Sequence, residues 1–235
     1  VIRKIMDLTH FGENIWALDG DVVKMFSVPF QTRMTIVRLS DGSLWLHSPV
    51  AVTRERIDQT KSLGDVSHLV APNKYHHLAL GNWAKEFPDA KLWAAPGLPD
   101  KRKDLSFSGS LQDQAEAVWE EDIEQLHFQG SLLFTEVVFY HPLSKTLILT
   151  DIIQNHDTSK DNWFWGFVKK VTGVAAPNGG VPKDIRLSIR NRELARRSLN
   201  QILDWDFNNI IISHGICIEK NAKDRLANAF SWLLT

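Results

Sequence analysis

Apolar and polar positions alternate along this chain in short blocks, and the period of each block predicts an element. "RMTIVRLSDGSLWLHS" (33–48) is two β-rich runs around Asp41-Gly42, a dipeptide suited to the positive φ angles of a tight hairpin turn. "ENIWALDG" (13–20) keeps the same two-residue period and predicts a further strand. "TRERIDQTKSLG" (53–64) switches to a helical period, with Thr53 as N-cap and Gly64 as stop. "VSHLVAP" (66–72) reads as a buried strand, "LALGNWAKEFP" (78–88) as a helix ended by Pro88, and "AKLWAAPGL" (90–98) as another strand. A basic, polar loop, "PDKRKDLSF", follows.

The second half mixes the same types. "IEQLHFQG" (123–130) leads into a hairpin, "TEVVFYHPLSKTLILTD" (135–151), turning at residues 142–145. Residues 152–189 read as an irregular insert rich in Asp, Asn, Lys, Gly and Pro. Its aromatic run "NWFWGFV" is taken as the apolar face of a docking helix in preference to a lid. "NRELARRSLNQILDW" (191–205) predicts a helix, "NNIIISHG" (208–215) a strand and "NAKDRLANAFSWLL" (221–234) a terminal helix. Hairpins interleaved with strand–helix–strand units predict an α/β (α+β) protein. The expected form is an αββα sandwich of two mixed sheets with helices on both outer faces, one domain over 1–235.

Composition narrows the partners. The 27 basic and 28 acidic residues leave a formal net charge of −1, without the basic excess of a nucleic-acid partner. The single cysteine, Cys217, excludes an internal disulfide and fits a reducing compartment. No apolar run approaches the ~18 residues of a membrane span, and no signal-peptide pattern opens the chain. The expectation is therefore a cytoplasmic protein acting on a small-molecule substrate, with neither nucleic acid nor membrane as partner. Nine tryptophans are many for this length, so some are expected to line a surface or cleft.

Four runs place metal-capable side chains where a predicted strand stops: His76-His77, Asp151, His214 and His47. Strand ends aim loop residues rigidly, and imidazole with carboxylate is the donor set that holds zinc or iron. Any one of the histidines alone reads more readily as a hydrogen-bonded packing residue than as a ligand, and Asp151 alone could be a helix or turn cap. The recurrence of the placement is what marks the set.

The order "VAPNKYHHLALGNW", "EVVFYHPLSKTLILTD", "IIISHG" resembles the metallo-β-lactamase superfamily, and within it a bacterial family known as a domain of unknown function. The superfamily's His-x-His-x-Asp-His motif, with its last histidine on His77, falls on Pro72, Lys74 and His76. Its next histidine falls near Leu132 or Leu133. The resemblance thus implies loss of the first metal position and retention of the second. Its implied ligands are His76, His77, Asp151 and His214, holding one divalent metal ion, zinc in preference to iron; with His76 turned away, His77, Asp151 and His214 still make a two-histidine, one-carboxylate site. Lys74 stands where a cation would be, facing Glu136 just ahead of "VVFY". The pair is a candidate for polarising a substrate oxygen, with His76 as alternative general acid or base. An equally direct reading leaves Lys74 and Glu136 as exposed charges that never meet. His47 is a candidate partner to the ligands.

Two functions follow from the resemblance. One is a metal-dependent hydrolase of an ester, thioester, amide or phosphoester. The other is a catalytically silent descendant that binds a ligand or partner; an iron site doing redox chemistry is a third.

Overall fold

The computed structural model describes residues 8–25, 28–159 and 161–234. In chain order the elements are β1 (Leu8–Gly12), β2 (Ile15–Met25), β3 (Val28–Arg38), β4 (Leu44–His47), α1 (Arg54–Lys61), β5 (Val66–Ala71), α2 (Leu80–Glu86), β6 (Lys91–Ala94), α3 (Leu98–Lys101) and β7 (Gly109–Ser110). They continue with β8 (Glu124–Phe128), β9 (Glu136–His141), β10 (Thr146–Leu149), α4 (Trp163–Thr172), α5 (Lys183–Ser188), α6 (Arg192–Asp204), β11 (Asn209–Ile212), α7 (Ala222–Ala229) and α8 (Ser231–Leu234).

Two mixed sheets result. One runs β1-β2-β3-β4-β5-β6-β7 and the other β11-β10-β9-β8. Both predicted hairpins are present as antiparallel pairs: Ile36 faces Leu46 across β3–β4, and Leu147 faces Tyr140 across β9–β10. Alternation then sorts the side chains into layers. On β4, Leu44 and Leu46 point out to the helices α1 and α2, while Trp45 points in. Trp45, Trp93, Val137, Phe139, Ile148 and Ile211 form the core between the sheets. Leu147, Leu149, Ile210 and Ile212 pack outward beneath α6, α7 and α8. This is the expected αββα order, helices outside and two sheets within.

The insert departs from its expected irregularity, because it holds α4 and α5. α4 is capped at both ends: Asn162 accepts from the Trp165 N–H, and Gly173 takes the left-handed conformation at φ 78°. Most of its apolar residues do not dock, although Trp165 is half-buried. Trp163 is 83% exposed, and Phe164, Phe167 and Val171 are exposed with it. Lys169 turns inward instead, into a buried ion pair with Asp161 at 2.9 Å. The terminal helix is also divided, into α7 and α8 at Phe230. No helix among the described residues is long and apolar enough to cross a membrane.

Candidate metal centre

Strands β5, β10 and β11 end at one edge of the sandwich, and the loops that follow them bring His76, Asp151 and His214 together. One ligand atom from each lies within 4.8 Å of the others. His76 Nε2 is 3.2 Å from Asp151 Oδ2, and His214 Nε2 is 3.1 Å from Asp151 Oδ1. The imidazole rings tilt toward each other, with centroids 5.0 Å apart.

The far side of each donor is committed. His214 Nδ1 lies 2.7 Å from the Gln31 carbonyl oxygen. A carbonyl only accepts, so Nδ1 carries a proton, and Nε2 is the nitrogen turned toward Asp151. His76 Nδ1 lies 2.6 Å from Ser48 Oγ. Asp151 Oδ2 accepts from Asn73 Nδ2 at 2.8 Å. Burial by itself would raise the Asp151 carboxyl; imidazoles that carry charge or donate to it outweigh burial and hold it well below the usual carboxylate range. An imidazole whose only ring proton sits on Nδ1 turns an Nε2 lone pair to the carboxylate, and such a contact is favourable only with a proton or a cation between the two atoms. Ligand bonds of ~2.0–2.2 Å in a tetrahedral shell put neighbouring donor atoms ~3.3–3.6 Å apart, slightly more than the two His–Asp contacts of 3.2 and 3.1 Å. The donor set therefore fits a divalent cation.

The remaining expected residues lie elsewhere. His77 does not join the three. Successive side chains in the turn after β5 diverge, and His77 Nδ1 lies 2.9 Å from the Arg102 guanidinium. Burial, with Lys101 and Arg102 nearby, lowers its pKa to about 4. Lys74 and Glu136 do not pair. Lys74 is exposed, and its side chain passes over Gly97 at the start of α3. Glu136 is fully buried and spends both oxygens on backbone N–H groups of the β10 loop: Thr150 at 2.7 Å, Asp151 at 2.8 Å and Ile152 at 3.3 Å. Burial and the neighbouring Asp151 push its pKa up to about 7. His47 is not the partner of the ligands; its ring stacks on Trp45, 5.5 Å between centroids, and its neighbour Ser48 makes that contact. Leu132 and Leu133 are exposed.

Asn73, Ser48, Gln31 and His156 escaped the sequence reading. Asn73 had a signal: Asn in a turn next to Pro commonly accepts from backbone N–H groups two and three residues on, as it does here from Tyr75 and His76. Gln31 acts through its carbonyl, which no side-chain pattern reveals. His156 stacks on His214 with centroids 6.3 Å apart, and Phe30 meets both rings edge-on. Behind it lies a cavity of about 390 Å³ between β2, β3 and α4, lined by Lys24, Gln31, His156, Trp165 and Lys169 among others.

Comparison with known proteins agrees with this architecture. The family model described as "Domain of unknown function (DUF4336)" matches residues 12–162. A metallo-β-lactamase from Pontibacter korlensis is similar in structure at 11% identity, over 97% of this chain and 98% of that one, with a TM-score of 0.63. Another, from Hirschia baltica, is 14% identical over 94% and 96% of the two chains, at a TM-score of 0.60. The Flv1 flavodiiron core from Synechocystis is 10% identical over 97% of this chain and 60% of that one, at a TM-score of 0.66. At these identities the likeness is one of fold, and it is the metallo-β-lactamase fold. No curated protein matches significantly.

Proposed function

The chain belongs to the DUF4336 family, and from that premise we propose that it is a metal-dependent hydrolase of metallo-β-lactamase fold with a single-metal centre at His76, Asp151 and His214. One observation carries the reading: two imidazole Nε2 atoms converge on the two oxygens of one carboxylate at 3.1–3.2 Å, while His214 Nδ1 is committed to a carbonyl. Two imidazoles and a carboxylate suit zinc and ferrous iron alike, and zinc is preferred because three protein donors leave a fourth tetrahedral position open. A cation held there supplies Lewis acidity and a water of lowered pKa.

The chain's own residues provide the rest. Gln31 and Ser48 orient the two imidazoles, and Asn73 holds one oxygen of Asp151. The three side chains are 8–12% exposed, so an ester, thioester, amide or phosphoester would reach the centre through a narrow opening. Lys74 has no part in this reading, since it makes no contact with Glu136 and lies over Gly97. The second reading is a catalytically silent binding protein. The same His–Asp contacts favour it when the imidazoles are protonated, because the cluster then closes on itself as ion pairs.

Metal analysis of protein purified without chelator separates the two. About one equivalent of zinc or iron, abolished in His214→Ala, supports the hydrolase reading. Less than about a tenth of an equivalent favours the silent one. Activity is then measured on p-nitrophenyl acetate and bis-p-nitrophenyl phosphate, with and without added zinc. A metal-loaded protein inert on both substrates counts against hydrolysis of simple esters and phosphodiesters.

A further inference from the structure

We propose that Asn73 and Glu136 are paired positioning residues that set the spacing of the metal ligands; the inference rests on the single-metal reading above. Asn73 follows β5 in the seven-stranded sheet and Glu136 opens β9 in the four-stranded sheet. The two residues meet in an antiparallel bridge, and the Val137 N–H donates to the Pro72 carbonyl at 2.9 Å, so the sheets are joined at this edge.

From that joint each side chain reaches a ligand loop. The Asn73 amide uses its full hydrogen-bonding capacity. Its oxygen accepts from the Tyr75 and His76 N–H groups at 2.8 and 2.9 Å, and its nitrogen donates to Thr150 Oγ1 at 3.0 Å and Asp151 Oδ2 at 2.8 Å. One side chain thus fixes the backbone that carries His76 and the carboxylate that His76 faces. Glu136 holds the other half, accepting the N–H groups of Thr150, Asp151 and Ile152 on its two oxygens. Both residues are 0% exposed. His76 and Asp151 are therefore locked to a common frame without any contribution from a bound ion. A site built this way is preorganised, and its affinity depends on the frame.

Two near-isosteric changes test this. Asn73→Asp sets a carboxylate oxygen against Asp151 Oδ2 in place of a donor, and Glu136→Gln sets an amide N–H₂ against a backbone N–H. Zinc affinity is measured by competition with a chromophoric chelator, cobalt-substituted protein is examined by visible absorption, and Tm is recorded in EDTA. Loss of a group that orients a ligand typically weakens metal binding 10–100-fold, so the expected result is a loss of that size and a changed cobalt spectrum. A merely structural role lowers Tm in EDTA and leaves affinity and spectrum as in the parent; that outcome overturns the proposal. If Asn73→Asp does not fold, Thr150→Val removes one of the two acceptors that orient the amide. A several-fold weaker zinc affinity is then expected, and parental affinity overturns the proposal. A parent that binds no metal sinks the metal reading and this one together, whereas one equivalent bound equally by parent and variants sinks only the positioning role.

Discussion

At His68 the Trp93 indole donates to the imidazole Nδ1 at 3.2 Å, which fixes the neutral ring, because a protonated Nδ1 would meet a donor. Burial lowers the His68 pKa to about 4. It likewise lowers His141 to about 4 and His156 to about 3. Unfolded histidines titrate near 6.5, so between about pH 6.5 and pH 4 the unfolded chain binds protons that the folded chain refuses. Stability is fully present above that window and falls through it as acid is added. Glu136, raised to about 7, works in the opposite direction and offsets part of the loss. An NMR titration should place the His68 midpoint near pH 4; a midpoint at 6 or above sinks the prediction. Ser48 gives a second test. It sits at φ 57°, where glycine is at ease, and its hydroxyl meets His76. Ser48→Gly relieves the backbone and Ser48→Ala does not, yet both should weaken metal binding about 10–100-fold, since both lose the hydroxyl. If the glycine variant binds as tightly as the parent, the hydroxyl does not orient His76. At this scale the sequence showed which residue types converge and at which strand ends. It put His77 ahead of His76 as a ligand, whereas His76 is the one that faces Asp151, because the direction of a side chain in a turn is set by hydrogen bonds such as those of Asn73.

Most elements were legible because burial and period agreed. Thr53 caps α1 as expected, accepting from the Arg56 N–H, and the inward and outward residues of β4 follow the two-residue alternation. The insert was illegible for the converse reason. On α4 most of the apolar side chains face solvent, Trp165 and Val168 are half-buried and the buried residue is a lysine, so the usual link between apolar period and burial is weakened. The Lys169–Asp161 pair, with side chains 6% and 9% exposed, accounts for the buried lysine and anchors the helix. Removing one partner of such a pair strands a buried charge at a cost of about 3–5 kcal/mol, whereas replacing both with apolar groups is often near neutral. Lys169→Met alone should therefore destabilise strongly, and Lys169→Met with Asp161→Leu should recover most of the loss. A double variant as unstable as the sum of the singles would show that the two side chains do not act as a unit.

Across the whole molecule, the two sheets share one core and one edge. The Arg33 guanidinium on β3 donates to the Ile212 and Gly215 carbonyls at 2.7 Å each, tying the seven-stranded sheet to the loop that carries His214. The Gln31 carbonyl on the same strand takes the His214 Nδ1–H. His76 comes from one sheet, Asp151 and His214 from the other, so a cation bound among them links the sheets. The unfolded chain has no such arrangement, and binding therefore adds directly to folding stability. At about 100 times the dissociation constant, the added stability is ~2.7 kcal/mol. For a chain of this size, each kcal/mol moves Tm by about 2–4 °C, so zinc should raise Tm by about 5–10 °C over protein in EDTA. His214→Ala removes one donor and should lose nearly all of that shift while keeping a measurable Tm in EDTA. A zinc-dependent shift of parental size in His214→Ala would place the binding outside this edge, for instance at the unpaired nitrogens of His47 or His77.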